Sequence, residues 1–365
     1  MENMVSLFDS LKETYSGKKV FLTGHTGFKG SWLLKMLVML GSEVKGYALS
    51  PENEEDLFNV IHGDQLCNSV IADIRDRDRL VEEVRMFQPD FVFHLAAQPL
   101  VRLSYAIPAE TFEVNALGTA YLLDAVKELE KACQIVLITT DKVYHNNEWV
   151  YPYRENERLG GFDPYSASKA CAELVIDSYR NSFFNMSDHD GHRKSLAVAR
   201  AGNVIGGGDW AKDRLIPDIV RSLIAGKNVQ IRNPKSVRPW QHVLEPVTAY
   251  LILGQKLASD PRSFSTAFNF GPQSSDALPV IDMVKLALDA WGQGSFEVVA
   301  QNSAPHEAGL LKLDISKAEQ LLKWKPKMNS LMAVKYTIDW YKAFSREKDT
   351  IAITTEEQIQ QYLNA

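Results

Sequence analysis

The chain has 365 residues, of which 45% are hydrophobic and 24% charged, as in an ordinary globular protein. Its formal net charge of -6 argues against a nucleic-acid-binding protein, which usually presents a basic face. Cys67, Cys133 and Cys171 are far apart and odd in number, so they indicate neither a metal site nor a disulfide framework. The chain shows no signal-peptide pattern and no apolar run of the roughly 18 residues that suggest a membrane span. We therefore expect a cytoplasmic protein without metal, nucleic-acid or membrane partners.

The first half alternates short apolar runs with longer helical patterns. In chain order, it predicts strands at 20–23, 44–49, 70–73, 91–95, 135–140 and 196–200, and helices at 31–40, 77–87, 108–129 and 165–184. Continuous apolar strands separated by helices indicate a parallel sheet that is covered on both faces. In this doubly wound layout, ligands bind at the carboxyl ends of the strands.

The second half is less regular, with clusters of glycine and proline between helical patterns. These patterns predict helices at 214–225, 246–259, 280–291 and 316–322 and a short tail helix at 354–363. The predicted fold class is therefore α/β, a Rossmann doubly wound parallel sheet with a smaller, mainly helical C-terminal substrate-binding domain. We expect the Rossmann domain at 16–203 with 243–275 returning to it, the substrate domain at 204–242 and 276–345, and a C-terminal tail at 346–365.

A glycine-rich loop follows the first predicted strand and opens the first helix. Gly24, Gly27 and Gly30 have the spacing GxxGxxG, which lets the backbone turn sharply and approach a pyrophosphate at a helix N-terminus. The end of the second strand offers neither an obvious acid for a ribose nor an arginine for a 2′-phosphate. This favours NAD over NADP, although Lys29 leaves NADP open. Asp73 could accept a hydrogen bond from the adenine amino group or cap the next helix.

Three segments that follow neighbouring elements should converge on one rim of the sheet: 94–98, 139–144 and 163–169. Tyr165 and Lys169 are four residues apart and share one helix face. A nearby lysine ammonium and a nicotinamide cation would lower the pKa of the tyrosine, which could then take a hydroxyl proton while hydride leaves the same carbon. Taken alone, a tyrosine and a lysine at this spacing more often lie on a solvent-exposed helix face than in a catalytic site.

The motifs TGHTGFKG, HLAAQ, TTDKVY and YSASK occur in the order found in extended short-chain dehydrogenases/reductases, which the chain resembles over nearly its whole length. Within that family it resembles the nucleotide-sugar 4,6-dehydratases, most closely the branch that acts on CDP-glucose. The segments that carry this closer resemblance are 139–142, 154–156, 160–165, 202–210 and 238–243.

The resemblance implies a complete reaction. NAD would take a hydride from C4 of CDP-glucose, water would leave across C5 and C6, and hydride would return to C6, giving CDP-4-keto-6-deoxy-D-glucose. By resemblance Thr140 hydrogen-bonds the C4 oxygen, Asp141 protonates the leaving C6 hydroxyl, and Lys142 removes the C5 proton, beside Tyr165 and Lys169. These roles need a protonated Asp141 and a neutral Lys142, and an ion pair between them would leave both in the wrong state.

The remaining site residues are expected on the same rim. Those expected to bind NAD are Gly24, Thr26, Gly27, Phe28, Lys29, Gly30, Asp73, Ile74, Leu95, Ala96, Ala97, Thr139, Tyr165 and Lys169. Candidates for binding the substrate are Gln98, Asn203, Arg214, Arg238, Gln241 and His306. Arginine suits a diphosphate because it binds anions in bidentate fashion. The preference for Asn203 and Arg238 and the recognition of cytosine come only from the resemblance.

Several alternatives remain open. A nucleotide-sugar 4-epimerase needs Tyr165 and Lys169 but no acid and base at 141 and 142, a 4,6-dehydratase could act on another nucleoside diphosphate sugar, and a plain dehydrogenase would accumulate NADH. A non-catalytic NAD-binding protein would often lose the Tyr-Lys pair. By resemblance we also expect a homodimer, paired through the helices 108–129 and 165–184, and a role in deoxysugar synthesis for a cell-surface polysaccharide such as the O-antigen of lipopolysaccharide.

Overall fold

The computed structural model describes residues 6–299 and 310–365. The strands are β1 (Lys19–Thr23), β2 (Glu43–Ala48), β3 (Asn68–Ile71), β4 (Phe91–His94), β5 (Cys133–Thr140), β6 (Lys194–Ala201), β7 (Asn203–Ile205), β8 (Val229–Ile231), β9 (Val237–His242), β10 (Ala267–Phe270), β11 (Ala277–Pro279) and β12 (Phe296–Val298). The α-helices are α1 (Leu7–Tyr15), α2 (Phe28–Met39), α3 (Leu57–Val60), α4 (Gly63–Leu66), α5 (Arg77–Phe87), α6 (Val101–Ala106), α7 (Pro108–Phe112), α8 (Gly118–Lys127), α9 (Pro164–Ser182), α10 (His189–His192), α11 (Leu215–Ile224), α12 (Leu244–Ser259), α13 (Pro261–Phe264), α14 (Val280–Trp291), α15 (Ser330–Arg346) and α16 (Ile351–Asn364).

Seven strands form the central sheet in the order β3-β2-β1-β4-β5-β6-β10, and all neighbours are parallel. Alternate residues of each strand enter two separate cores. In β5, for example, Ile135 and Leu137 belong to one core, whereas Val136 and Ile138 belong to the other. Helices therefore cover both faces of the sheet, which confirms the predicted doubly wound fold.

Two predicted helices differ from the observed ones in ways that matter for the site. The first begins at Phe28 rather than 31, because Gly27 already serves as its N-cap. The predicted helix 108–129 is interrupted by a π-helical turn at Glu113–Leu117. The side chain of Asn115 in this turn accepts a hydrogen bond from the Gln98 backbone N–H at 2.9 Å. The turn thus ties the helix to the loop after β4, a local use typical of π-bulges.

The second half of the chain contains more strand than its helical pattern predicts. Two small sheets, β11-β9-β7 and β12-β8, lie beyond the central sheet. The segment after α12 returns as β10, which pairs with β6 at the edge of the central sheet. In the predicted tail, α16 buries Ile351 and Ile359 in the larger core. The domain boundaries stay a prediction.

No helix within 6–299 and 310–365 is long and apolar enough to cross a membrane. Over the same residues there is no group of three or more His, Cys, Asp or Glu side chains that could hold a metal ion.

Candidate active site

The glycine loop between β1 and α2 is shaped by two close approaches. Gly24 has φ +75°, and a Cβ there would lie 2.7 Å from the backbone nitrogen of Ala96. A Cβ on Gly30 would lie 1.9 Å from the Gly24 carbonyl oxygen, so neither position accepts a side chain. Gly27 is the N-cap of α2 and has no side chain that could accept hydrogen bonds from the first turn. The N–H groups of that turn are therefore available to an anion.

The loop after β4 is held against this glycine loop. The Thr23 hydroxyl accepts hydrogen bonds from the backbone N–H groups of Leu95 and Ala96, both at 3.2 Å. His94 is buried between Thr23 and Thr119, and burial, reinforced by the charge of Lys169, lowers its pKa to about 3. His94 is therefore a neutral structural residue at physiological pH.

The catalytic pair lies on the first two turns of α9. Asp163 caps this helix by accepting a hydrogen bond from the Ser166 N–H at 2.9 Å, and Pro164 takes the first helical position. Lys169 is 4% exposed, and its Nζ donates to the Ile138 carbonyl at 3.1 Å. Burial lowers the pKa of Lys169 to about 8, while Glu173 acts in the opposite direction.

The pKa of Tyr165 differs from the expectation. In the protein chain alone it is raised, because burial of the phenol outweighs the nearby cations Lys142 and Arg214 and a hydrogen bond with Thr140. Lys169 is not among the groups that lower it. The expectation that Lys169 lowers the tyrosine pKa directly is therefore corrected, since desolvation dominates when only protein groups surround the phenol.

Thr140, Asp141 and Lys142 follow one another at the carboxyl end of β5. The Thr140 hydroxyl donates to Asp141 Oδ1 at 2.9 Å, and Lys142 Nζ lies 3.6 Å from the same oxygen. Asp141 is buried, with its side chain 2% exposed, whereas that of Lys142 is 35% exposed. The structure thus shows the ion pair that would leave both groups in the wrong state for an acid and a base.

A cavity of about 1910 Å3 joins these residues to the second half of the chain. Thr140, Asp141, Lys142 and Tyr165 line one wall of it. Lys29 from the glycine loop lines it too, and its pKa is lowered to about 7 by burial and by the neighbouring cations, Arg214 first. The cavity therefore runs from the cofactor loop across the catalytic residues.

The predicted substrate-binding residues fall into three groups. Asn203 and Arg214 line the cavity, and Arg214 donates to Asp209 Oδ2 at 3.0 Å. Gln98 and Gln241 do not line it. The Gln98 amide nitrogen donates to Thr111 and its amide oxygen accepts from the Leu100 N–H, while the Gln241 amide nitrogen donates to the Phe270 carbonyl. Their contact with substrate stays a prediction.

The other two candidates lie outside the described side chains. Arg238 lies in β9, but its side chain falls outside what the structure describes, as does the whole of His306.

Among the residues expected to bind the cofactor, Asp73 follows β3 and forms an ion pair with Arg75, which lowers the pKa of the Asp73 carboxyl. The cofactor role of Asp73 stays a prediction, and so does that of the adjacent buried Ile74.

Sequence reasoning missed two sets of charged residues near the site. Glu173 and Arg200 form a buried ion pair behind β5. At the cavity wall, Asp213 Oδ1 lies 2.8 Å from Arg102 and 3.2 Å from Arg232. The spacing of Glu173, four residues after Lys169, was a signal for the first set. The second set gives no local signal, since its members are far apart along the chain.

Comparisons with known proteins agree with this geometry. The CDP-glucose 4,6-dehydratase of Salmonella typhimurium is 48% identical over 354 residues, which cover 97% of this chain and 98% of the relative. A dTDP-glucose 4,6-dehydratase from Streptomyces venezuelae, solved with NAD and TYD bound, matches with a TM-score of 0.76, 24% identity and coverage of 89% and 97%. A UDP-glucose 4-epimerase from Thermotoga maritima matches with a TM-score of 0.77, 23% identity and coverage of 90% and 100%. The family described as GDP-mannose 4,6 dehydratase matches residues 21–337, and the chain belongs to this family of nucleotide-sugar enzymes.

Proposed function

We propose that the chain is an NAD-dependent 4,6-dehydratase that converts CDP-glucose to CDP-4-keto-6-deoxy-D-glucose. The observation that carries this proposal is the placement of a carboxyl and an amine, Asp141 and Lys142, next to Tyr165 in one cavity wall. Elimination of water needs an acid and a base in addition to the group that takes the C4 hydroxyl proton. A 4-epimerase needs only the last of these.

The residues of the glycine loop fit a dinucleotide. Gly24 and Gly30 let the loop pack tightly against Ala96 and onto its own backbone, and the start of α2 at Gly27, where no side chain takes up the N–H groups, suits a pyrophosphate. These residues, with Lys169 on α9, would hold NAD. NAD bound there would supply the acceptor for the C4 hydride and the donor of hydride to C6.

The first step falls to Tyr165. As the C4 carbon is oxidised to a ketone, its hydroxyl proton passes to the Tyr165 oxygen. The cation Arg214 and the hydrogen bond with Thr140 favour the tyrosinate that accepts it. Formation of the ketone acidifies the C5 proton, which the next step removes.

The Asp141–Lys142 pair performs the elimination. The ion pair and the neutral pair hold the same number of protons, so one proton transfer, made when the 3.6 Å contact shortens to a hydrogen bond, gives the protonated Asp141 and neutral Lys142 that the reaction needs. Exclusion of water by the sugar favours this transfer, because a low dielectric penalises separated charges. Lys142 then takes the C5 proton, and Asp141 protonates the C6 hydroxyl, which leaves as water.

The proton count also assigns a role to Thr140. After Lys142 returns its proton to C5, Tyr165 holds the C4 hydroxyl proton and Asp141 lacks the one that left with water. The Thr140 hydroxyl bonds Asp141 and also interacts with Tyr165, so it can relay this proton and restore both groups. The cycle then closes without net redox change.

The choice of CDP rests on the relative named CDP-glucose 4,6-dehydratase, which is 48% identical over nearly the whole chain. The test is incubation of the purified protein with CDP-glucose, dTDP-glucose and UDP-glucose, followed by mass measurement of each product. We expect loss of one water from CDP-glucose without accumulation of NADH. A product of unchanged mass with inverted configuration at C4 would support the epimerase. Turnover of dTDP-glucose alone would overturn the assignment of cytosine as the nucleobase of the substrate.

The cytoplasmic location, the homodimer and the role in deoxysugar synthesis stay proposals. Fractionation of producing cells against a compartment marker tests the location. Growth of a deletion strain, with analysis of its surface polysaccharide for missing deoxysugar, tests the pathway.

A further inference from the structure

A buried ion pair lies directly behind the catalytic residues. Glu173 is on α9, one turn after Lys169, and Arg200 is near the end of β6. They are 2% and 3% exposed. Arg200 Nε donates to Glu173 Oε1 at 2.8 Å and to Oε2 at 3.0 Å, and Nη2 adds a further bond to Oε2. The carboxylate is thus held on both oxygens.

The same carboxylate reaches the strand that carries the acid and base. The Thr139 hydroxyl donates to Glu173 Oε1 at 2.6 Å. Thr139 directly precedes Thr140, the last residue of β5 and the first of the three reacting residues. Glu173, on α9, is therefore hydrogen-bonded to both β5 and β6 near the carboxyl ends of these strands, next to the catalytic residues.

The arginine end is anchored as well. Arg200 Nη1 donates to the Tyr144 hydroxyl at 2.7 Å, and the guanidinium lies 4.9 Å from the centroid of the Tyr144 ring. The Tyr144 hydroxyl in turn donates to Asn269 Oδ1 at 2.7 Å. Although burial opposes it, Glu173 raises the pKa of Arg200, so the guanidinium stays charged.

Stability is a weak reason for such an arrangement. Removing two charges from water costs about as much as their attraction returns, and hydrophobic replacements are often as stable. An effect on a neighbouring charge is a stronger reason. Lys169 is buried, and its charge lowers the pKa of Lys29 in the glycine loop and of His94 on β4. The group whose charge acts on the pKa of Lys169 is the anion Glu173 on its own helix. Glu173 favours the ammonium form.

We propose that Glu173 is a positioning residue that acts through Lys169 and Thr139, with Arg200 holding its carboxylate in place. Its charge keeps Lys169 protonated in a site that would otherwise neutralise it, and its bond to Thr139 fixes the end of β5. This inference rests on the proposed function, because it assigns Glu173 a part in the same reaction.

The test is the pH profile of kcat for Glu173→Gln, which removes the charge and keeps the shape. Lys169 then loses its proton more readily, so the alkaline limb should move toward acid by about one pH unit, the lower end of the effect of a nearby opposite charge. If the wild-type kcat falls with a midpoint near pH 8, the variant should have a kcat about fivefold below that of the wild type at pH 8 and nearly equal to it at pH 6. Thr139→Val should lower kcat without moving the limb. An alkaline limb of Glu173→Gln that coincides with that of the wild type would overturn the proposal.

Two further variants keep the test decisive. Glu173→Gln leaves a buried guanidinium unpaired, so Glu173→Gln/Arg200→Gln, which removes both charges, should fold more readily and still show the shifted limb. The control Asp177→Asn neutralises the next carboxylate along α9, which is 51% exposed and pairs with Arg180. It should leave the limb in place. A wild-type protein that releases no water from any nucleotide sugar would contradict the proposed function instead, before any variant is compared.

Discussion

Lys142 Nζ lies 3.6 Å from Asp141 Oδ1, and the two side chains differ in exposure, 35% against 2%. The buried carboxyl is fixed by Thr140, whereas the amine is at the cavity surface and is free to turn toward a substrate carbon. This asymmetry suits an acid that stays in place and a base that must reach C5.

We expect Lys142→Met to retain NAD and to lose dehydration. The methionine cannot remove the C5 proton, while the glycine loop and Lys169 are unchanged. General-base catalysis contributes about 10²- to 10⁴-fold, so product formation should fall by that factor. Product mass and tryptophan fluorescence titration with NAD measure the two properties. Lys127→Met is the matched control, since it removes a lysine that pairs with Asp124 at 3.2 Å outside the cavity. Normal product formation by Lys142→Met would contradict the assignment.

Gly202→Ala should impair the acid without touching the cofactor loop. A Cβ at Gly202 would lie 3.2 Å from Asp141 Oδ2, a carboxyl that has little room to move. The carboxylate must move by a few tenths of an ångström, and because a displacement of about 1 Å can cost 10²-fold in rate, we expect kcat to fall by roughly threefold to fivefold with unchanged NAD affinity.

Gly271→Ala is its control. Gly271 directly follows β10 as Gly202 follows β6, and a Cβ there meets only ordinary contacts at 3.8 Å or more. Equal kcat values for the two variants would show that the reaction does not depend on the space between Gly202 and the Asp141 carboxyl.

The pH dependence follows from Lys169, whose pKa is lowered to about 8 by burial. The ammonium form of Lys169 is the one that holds a ribose hydroxyl most strongly, so kcat should be constant below this value and fall as the pH rises through it. The profile of Lys169→Arg tests the assignment, because a guanidinium stays charged across this range. That variant should be slower but should lack the limb near pH 8. A limb that persists in Lys169→Arg would point to another group.

Much of the site could be predicted because its signals are local. The glycine spacing, the Tyr165–Lys169 spacing and the run Thr140-Asp141-Lys142 each lie within one short segment, and parallel strands bring their ends to one rim. What could not be predicted depends on distant partners. The hydrogen bonds of the Gln98 amide to Thr111 and Leu100 are an example.

The same limit applies to the fold. The central strands are continuous apolar runs, so their pattern identifies them. The short strands β7, β8, β11 and β12 have three residues each, too few to show a period, and they form only where tertiary contacts pair them. The π-helical turn at Glu113–Leu117 is likewise set by the bond of Asn115 to the Gln98 backbone.

Arg214→Met should weaken binding of the substrate more than it slows the reaction. Arg214 lines the cavity, and Asp209 raises the pKa of its guanidinium and orients it. Loss of a charge-assisted bond to a diphosphate costs about 2 kcal/mol, so KM should rise about 30-fold with a smaller change in kcat. Arg214→Lys keeps the positive charge but not the two parallel N–H donors of the guanidinium, and it should recover only part of the affinity for the substrate. A KM equal to that of the wild type would remove Arg214 from the substrate site.

The predicted homodimer can be tested at the helices expected to pair. Leu117, after α7, and Leu174, on α9, are large apolar residues that are 47% and 60% exposed in the single chain. If a second copy covers them, Leu117→Glu/Leu174→Glu places four charges in one interface and should give a monomer by light scattering. Met86→Glu, at a position on α5 that is 71% exposed, is the control and should leave the assembly unchanged. A double variant that stays dimeric would show that the interface lies elsewhere, and a monomeric wild type would contradict the homodimer itself.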